Sequence, residues 1–235
     1  MQRETLTARL LNKRLLSQES QTFHLEFETD ADFTYTPGQF ISVLAERILP
    51  SGHPRAGETR VDTRAYSLAS APRAGHIELC VNRVQAEDDD GFFSNLLCDT
   101  EPGAAVAFHG PHGNFTLRGV FGPVLFLAED TGIAPVRSIL QAAPQLQAYL
   151  IQSSMTAGPA LYGDEFAAIS ALGYQPVLGD ATHAKSLEAV DALLQAQPAI
   201  REAYVVGLSS FVNAHRAQLK ARGWDRKQIV FERYD

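Results

Sequence analysis

The hydrophobic pattern of this chain changes period once, close to residue 120, and that change limits the folds open to it. Before it, apolar residues come in short alternating runs. Residues 22–27 alternate Phe23, Leu25 and Phe27 with polar neighbours, the pattern of a half-buried strand. Residues 6–16 alternate imperfectly, and residues 76–84 repeat the pattern. Residues 40–44 and 104–108 each follow a Pro-Gly turn, at Pro37-Gly38 and Pro102-Gly103. Short strands separated by such turns predict an antiparallel barrel or sandwich, with one helix over 92–98. The polar, Gly- and Pro-bearing stretch 47–62 reads as an exposed loop.

After residue 120 the chain reads differently. Residues 123–128, Pro-Val-Leu-Phe-Leu-Ala, form a continuous apolar run, as in a parallel strand covered on both faces. Helical and strand patterns then alternate. Strands are predicted over 148–151, 174–178, 203–206 and 229–231, and helices over 134–143, 159–172, 185–195 and 211–222. That order predicts a doubly wound α/β unit with a parallel sheet. The expected organisation is therefore two domains: an N-terminal antiparallel β-barrel, residues 1–118, and a C-terminal α/β domain, residues 119–235.

Composition removes several function classes. The formal net charge of −7 disfavours binding to nucleic acid or to an anionic membrane surface. No run of 18 apolar residues is present, so no transmembrane helix is expected. The start, Met1-Gln2-Arg3-Glu4, lacks an apolar signal region and reads as cytoplasmic. Two cysteines, Cys80 and Cys98, are too few for an iron–sulfur cluster, and the seven histidines lack metal-ligand spacing. Two reduced, buried thiols are expected.

Three short motifs carry chemistry. The first is Arg64-Ala65-Tyr66-Ser67. Arg64 and Tyr66 are two apart, so on a strand they share one face; Ser67 points the other way unless the strand ends there. An arginine suits a pyrophosphate and a tyrosine suits a flat ring. The second is the helix start Gly91-Phe92-Phe93-Ser94-Asn95, where backbone N–H groups and a serine hydroxyl can meet a phosphate. The third is Asp130-Thr131-Gly132-Ile133-Ala134-Pro135, a turn between strand and helix with proline in the first helical turn.

Together with Cys80-Val81-Asn82-Arg83 and Gly110-Pro111-His112-Gly113, these segments resemble, in order and spacing, the plant-type ferredoxin–NADP reductase family. The resemblance implies an FAD-binding barrel in which Arg64, Val81, Arg83, Gly91 and Ser94 hold the cofactor. Tyr66 would stack on its isoalloxazine and Ser67 would reach N5. It also implies a nicotinamide site at Thr131, Gly132, Pro135 and Gly207. The ending Phe231-Glu232-Arg233-Tyr234 is similar to the family's C-terminus, which assigns Tyr234 to the other flavin face and Glu232 to the neighbourhood of N5. Ser67, Glu232 and Tyr234 are the implied catalytic set.

The chain departs from the family at several points. Glu129 and Asp130 stand where the family has small residues; a carboxylate 4 Å from a phosphate costs about 4 kcal/mol at an effective dielectric near 20. Val206-Gly207-Leu208 lacks the family's cysteine. Gln85-Ala86-Glu87 and the acidic run 88–90 replace the adenine-stacking tyrosine. Asp180 suits a ribose hydroxyl and so favours NADH over NADPH.

The expected function is an NAD(P)H-dependent flavin oxidoreductase passing electrons to a separate protein, such as ferredoxin, flavodoxin or an oxygenase component. Residues 1–118 carry 11 Lys+Arg against 16 Asp+Glu, a net of −5 that disfavours a strongly acidic partner. The alternative is a flavin-binding redox sensor or electron-relay subunit with little nicotinamide turnover.

Overall fold

The computed structural model describes residues 4–49, 52, 54–84, 91–119 and 122–234. The segment 85–90, with its acidic run, and Asp235 lie outside the described residues.

The first half forms one antiparallel sheet from β1 (Leu6–Ser17), β2 (Thr22–Glu28), β3 (Phe40–Ile48), β4 (Thr59–Ser67), β5 (His76–Asn82) and β6 (Ala105–His112), in the order β4-β3-β6-β1-β2-β5. The sheet curls until its two edges meet. Leu68, just past β4, bridges Leu79 of β5, and the Ala69 N–H donates to the Glu78 carbonyl at 2.8 Å. The inward side chains at alternate positions, Leu10, Leu25, Phe27, Ile41, Val43, Leu79 and Phe108, are fully buried. Helix α1 (Phe92–Asp99) adds Phe93, Leu97 and Cys98 to this core.

The stretch 47–62 is shorter as a loop than its composition suggests. β3 runs to Ile48 and β4 begins at Thr59, paired in register up to Ile48↔Thr59. Polar residues are tolerated here because the ribbon projects into solvent. Its pairing is held by an Arg47–Asp62 ion pair at 2.6 Å.

The second half is a five-stranded parallel sheet of β7 (Val124–Glu129), β8 (Ala148–Ser154), β9 (Leu172–Leu178), β10 (Glu202–Gly207) and β11 (Ile229–Arg233), in the order β11-β10-β7-β8-β9. All six residues of β7 are buried, as its unbroken apolar run requires. The helices are α2 (Ile133–Ala142), α3 (Gly163–Ala167), α4 (Ala184–Ala196) and α5 (Ser209–Ala221). The long helix expected over 159–172 is only α3. Tyr162, in a left-handed conformation at φ 57°, starts it, and β9 already begins at Leu172. From β7 the chain moves outward through β8 and β9, then returns to β10 on the other side. The topological switch therefore lies between the ends of β7 and β10, where ligands bind in open α/β sheets.

Helix α2 joins the domains. Residues 133–140 are all buried, because α2 lies between the parallel sheet and the barrel. Its polar residues reach the backbone just past β4: Arg137 Nη1 donates to the Ala69 carbonyl at 2.7 Å and Ser138 Oγ to the Ser70 carbonyl at 2.5 Å, while Gln141 Oε1 accepts from the Ala71 N–H at 3.0 Å. Arg137 also pairs with Glu78 of the barrel at 2.6 Å and with Glu165 at 2.8 Å, and lies over the Tyr162 ring. The Tyr162 hydroxyl is 2.8 Å from His24 Nδ1 of β2.

Burial lowers the His24 pKa from its ordinary 6.5. Burial alone would raise that of Glu78, but its bonds to Arg137 win and bring it below 4.5. Both groups bind protons more readily in the unfolded chain, so stability is lost on acidification, through His24 below pH 6.5 and then through Glu78 below pH 4.5. Replacing Arg137 with Met strands Glu78 against buried surface and is expected to cost about 3 kcal/mol. Thermal unfolding of wild type and Arg137→Met from about pH 8 to about pH 4 checks both expectations.

Candidate active site

A cleft of about 810 Å³ opens where the barrel meets the parallel sheet. Barrel residues form one wall: Arg64, Tyr66 and Ser67 from β4, Val81 from β5 and Ser94 from α1. The α/β domain supplies Thr131, Gly207, Glu232 and Tyr234. Segments up to 170 residues apart thus share one cavity.

β4 ends at Ser67, which lines the cleft beside Arg64 and Tyr66 instead of pointing away. Its hydroxyl donates to Glu232 Oε1 at 3.1 Å and accepts from the Tyr234 hydroxyl at 2.8 Å. Parallel pairing of β10 with β11 sets these partners at the cleft, and the Tyr234 N–H donates to the Gly207 carbonyl at 3.1 Å. Burial pushes the Glu232 pKa up to about 7, against the lowering effect of the Ser67 bond. Burial, then the Glu232 charge, hold the Tyr234 phenol well above its ordinary range. The Tyr66 hydroxyl is 3.2 Å from Ser94 Oγ, and burial raises its pKa to about 12. Ser94 therefore faces Tyr66 and does not cap α1, whose N-cap Gly91 makes no side-chain bond.

Four expected residues stand back from the cleft lining. Arg83 pairs with Asp99. Gly91 is buried at the head of α1, where Asn95 bonds both backbone groups of Val84 at 3.0 Å. Pro135 is buried in α2. Gly132 sits within a short 3₁₀ turn, Asp130–Gly132, against the backbone of β10; a Cβ there would come within 2.9 Å of the Val206 carbonyl oxygen. Glycine at this position lets the turn close on β10, and Thr131 is thereby presented to the cleft.

Asp180 cannot serve a ribose hydroxyl as the sequence suggested. It is buried, and its two oxygens accept the Lys185 and Ser186 N–H groups at the start of α4, each at 3.0 Å, with Ser153 Oγ at 3.2 Å. Those bonds hold its pKa below the ordinary carboxylate value despite burial. The preference for NADH that rested on Asp180 loses its support. Cys80 also lines the cleft, but burial pushes its thiol to about 12, so it offers no thiolate. Both cysteines are free and buried.

The residues present fit a flavin nucleotide. The cleft offers a cation on its wall, two tyrosines, a hydroxyl bonded to a carboxyl group, and apolar surface from Val81 and Ala134. Residues 7–117 match the oxidoreductase FAD-binding domain family. The leaf-type chloroplastic ferredoxin–NADP reductase of Nicotiana tabacum is 34% identical over 145 residues, covering 56% of this chain and 38% of that protein. Ferredoxin–NADP reductase B of Sorangium cellulosum is 36% identical over 145 residues, covering 61% and 54%. In fold, the chain is similar to a ferredoxin NADP⁺ reductase from Neisseria gonorrhoeae with bound FAD and NADP, at a TM-score of 0.78 and 19% identity, covering 98% of this chain and 99% of that one. The chain is thus similar to ferredoxin–NADP reductases in sequence over 56 to 61% of its length and in fold over 98% of it. It spans roughly 40 to 55% of the length of these two curated relatives. No helix among the described residues is long and apolar enough to cross a membrane.

The raised Glu232 pKa sets a sign. The folded chain holds this proton more tightly than the unfolded one, so its contribution to stability is complete below pH 4.5 and is lost as pH rises through about 7. The melting temperature of wild type minus that of Glu232→Gln is expected to fall across this window. A constant difference would mean that Glu232 titrates normally.

Proposed function

We propose that this chain is an FAD-dependent oxidoreductase that takes electrons from NADH or NADPH and delivers them to a separate redox protein. Bound FAD supplies hydride acceptance at N5 and stepwise release of electrons. The observation that carries the reading is the Tyr234–Ser67–Glu232 chain of hydrogen bonds at the domain junction.

Each residue has a role in this reading. Arg64, exposed on the cleft wall, holds the pyrophosphate, and Ser94 adds a hydroxyl and fixes Tyr66 against the ring. Val81 packs on the ring's edge. When Glu232 is protonated and donates to Ser67, the single Ser67 hydroxyl hydrogen turns to the flavin, where charge changes on reduction. Glu232, titrating near neutrality, holds or releases a proton at Oε1 through the Ser67 hydroxyl. Tyr234 covers the second face and yields it to the nicotinamide, which enters past Thr131 and Gly207. Gly91, Gly132 and Pro135 shape the turns behind these side chains, and Arg83 supports α1 through Asp99. We place the domain boundary at 118/119, in the connection between β6 and β7.

The acceptor in this reading is a small redox protein such as a ferredoxin, a flavodoxin or an oxygenase component. The net charge of −5 on residues 1–118 argues against a strongly acidic one. An electron relay or redox sensor is the second reading, favoured by the two carboxylates, Glu129 and Asp130, at the end of β7.

Anaerobic mixing of the FAD-loaded protein with NADH and with NADPH tests the proposal. Bleaching of the flavin band by at least one donor is expected; no bleaching by either at millimolar concentration would leave only the relay reading. Arg64→Ala is expected to weaken FAD retention about tenfold or more, as loss of a charge-assisted bond does. Tyr234→Ser is expected to change the rate of reduction while FAD content stays the same.

A further inference from the structure

Glu129 ends β7 at the topological switch and is almost fully buried, with its side chain 1% exposed. Its Oε2 accepts the Leu208 N–H at 3.0 Å, immediately before α5, and its Oε1 lies 3.4 Å from Nδ1 of His183, the residue that opens α4. His183 is held in turn by Ser210 Oγ at 3.2 Å and by its edge contact with Phe211. The carboxyl group thus ends β7, accepts from the N–H that precedes α5 and lies beside the imidazole that opens α4. Gly207 leaves it room: a Cβ on Gly207 would stand 2.7 Å from the Glu129 Cβ and 3.0 Å from its Oε2. Glu129, Gly207 and Leu208 all line the cleft. Beside them Asp130, at φ 46°, accepts from Ser154 Oγ at 3.0 Å.

The backbone donors and positive helix ends at such a switch point ordinarily receive the phosphates of a ligand. Here an internal carboxyl group already takes one of those donors, and in its ionised form it repels a second anion. We infer that Glu129 is a built-in competitor for the dinucleotide pyrophosphate and sets this chain's affinity for its electron donor. The inference rests on the proposed use of a nicotinamide dinucleotide and specifies which residue limits it. Glu129→Gln keeps the shape and removes the charge; Glu129→Gly also vacates the space.

The test is equilibrium titration of FAD-loaded wild type and both variants with NADP⁺, NAD⁺, ADP-ribose and adenosine, followed by flavin difference spectra and calorimetry. Both variants are expected to bind the three pyrophosphate ligands about tenfold or more tightly than wild type, Glu129→Gly most strongly, with adenosine unchanged. If Glu129→Gln, carrying a full complement of FAD, binds ADP-ribose as wild type does, the inference is overturned. An equal gain for adenosine overturns it too, because the effect would then be one of access. Failure of the oxidoreductase reading is a separate result: no flavin bleaching by NADH or NADPH in wild type or in either variant.

Discussion

Three hydrogen bonds from α2 to the backbone just beyond β4 hold the two domains together, and the cleft depends on them. Arg137, Ser138 and Gln141 engage Ala69, Ser70 and Ala71, three successive residues separated from the Arg64–Ser67 motif by Leu68 alone. The motif that faces the cleft and the segment that fastens the domains are one continuous stretch. A shift of α2 along the barrel would move Thr131 and the end of β10 relative to Tyr66 and Ser67. The buried ion pair of Arg137 with Glu78 adds a penalty for separation, since it leaves an uncompensated charge if broken.

This arrangement explains why the catalytic candidates come from opposite ends of the chain. Ser67 is the last residue of a barrel strand, whereas Glu232 lies in the last strand of the parallel sheet and Tyr234 follows it. Among the described residues β11 pairs only with β10, so its register sets where Glu232 meets the Ser67 hydroxyl. Burial raises the Glu232 pKa to about 7 and so brings its titration close to neutral pH. At the carboxyl ends of β7 and β9, desolvation is met by anchoring: Glu129 and Asp180 are buried and accept from backbone N–H groups at helix starts.

Much of this was legible in the sequence, for identifiable reasons. The change of period near residue 120 marks the switch from one-sided barrel strands to β7, buried on both faces. Arg64, Tyr66, Ser67, Val81, Ser94, Thr131, Gly207, Glu232 and Tyr234 meet in one cleft, as the motif order implied. What sequence periodicity missed depends on distant partners. Arg137 and Ser138 look like ordinary helix residues until their carbonyl acceptors, 68 residues away, are in view. Asp180 reads as a ligand residue because its capping bonds to α4 leave little trace in composition. The helix over 159–172 is cut short by the left-handed Tyr162, whose ring is held by His24 and Arg137. The charged ribbon at 47–62 reads as loop because its backbone ladder runs through mostly polar, exposed residues, with an Arg47–Asp62 ion pair across it and no apolar alternation.

The central claim is that this cleft holds one FAD with its ring between Tyr66 and Tyr234. The direct measurement is titration of the purified apoprotein with FAD, following flavin fluorescence and bound stoichiometry. The account expects one FAD per chain, with fluorescence quenched by the flanking tyrosines and partly restored in Tyr66→Ser and Tyr234→Ser. Absence of saturable FAD uptake, or uptake with fluorescence indifferent to both tyrosines, would contradict it.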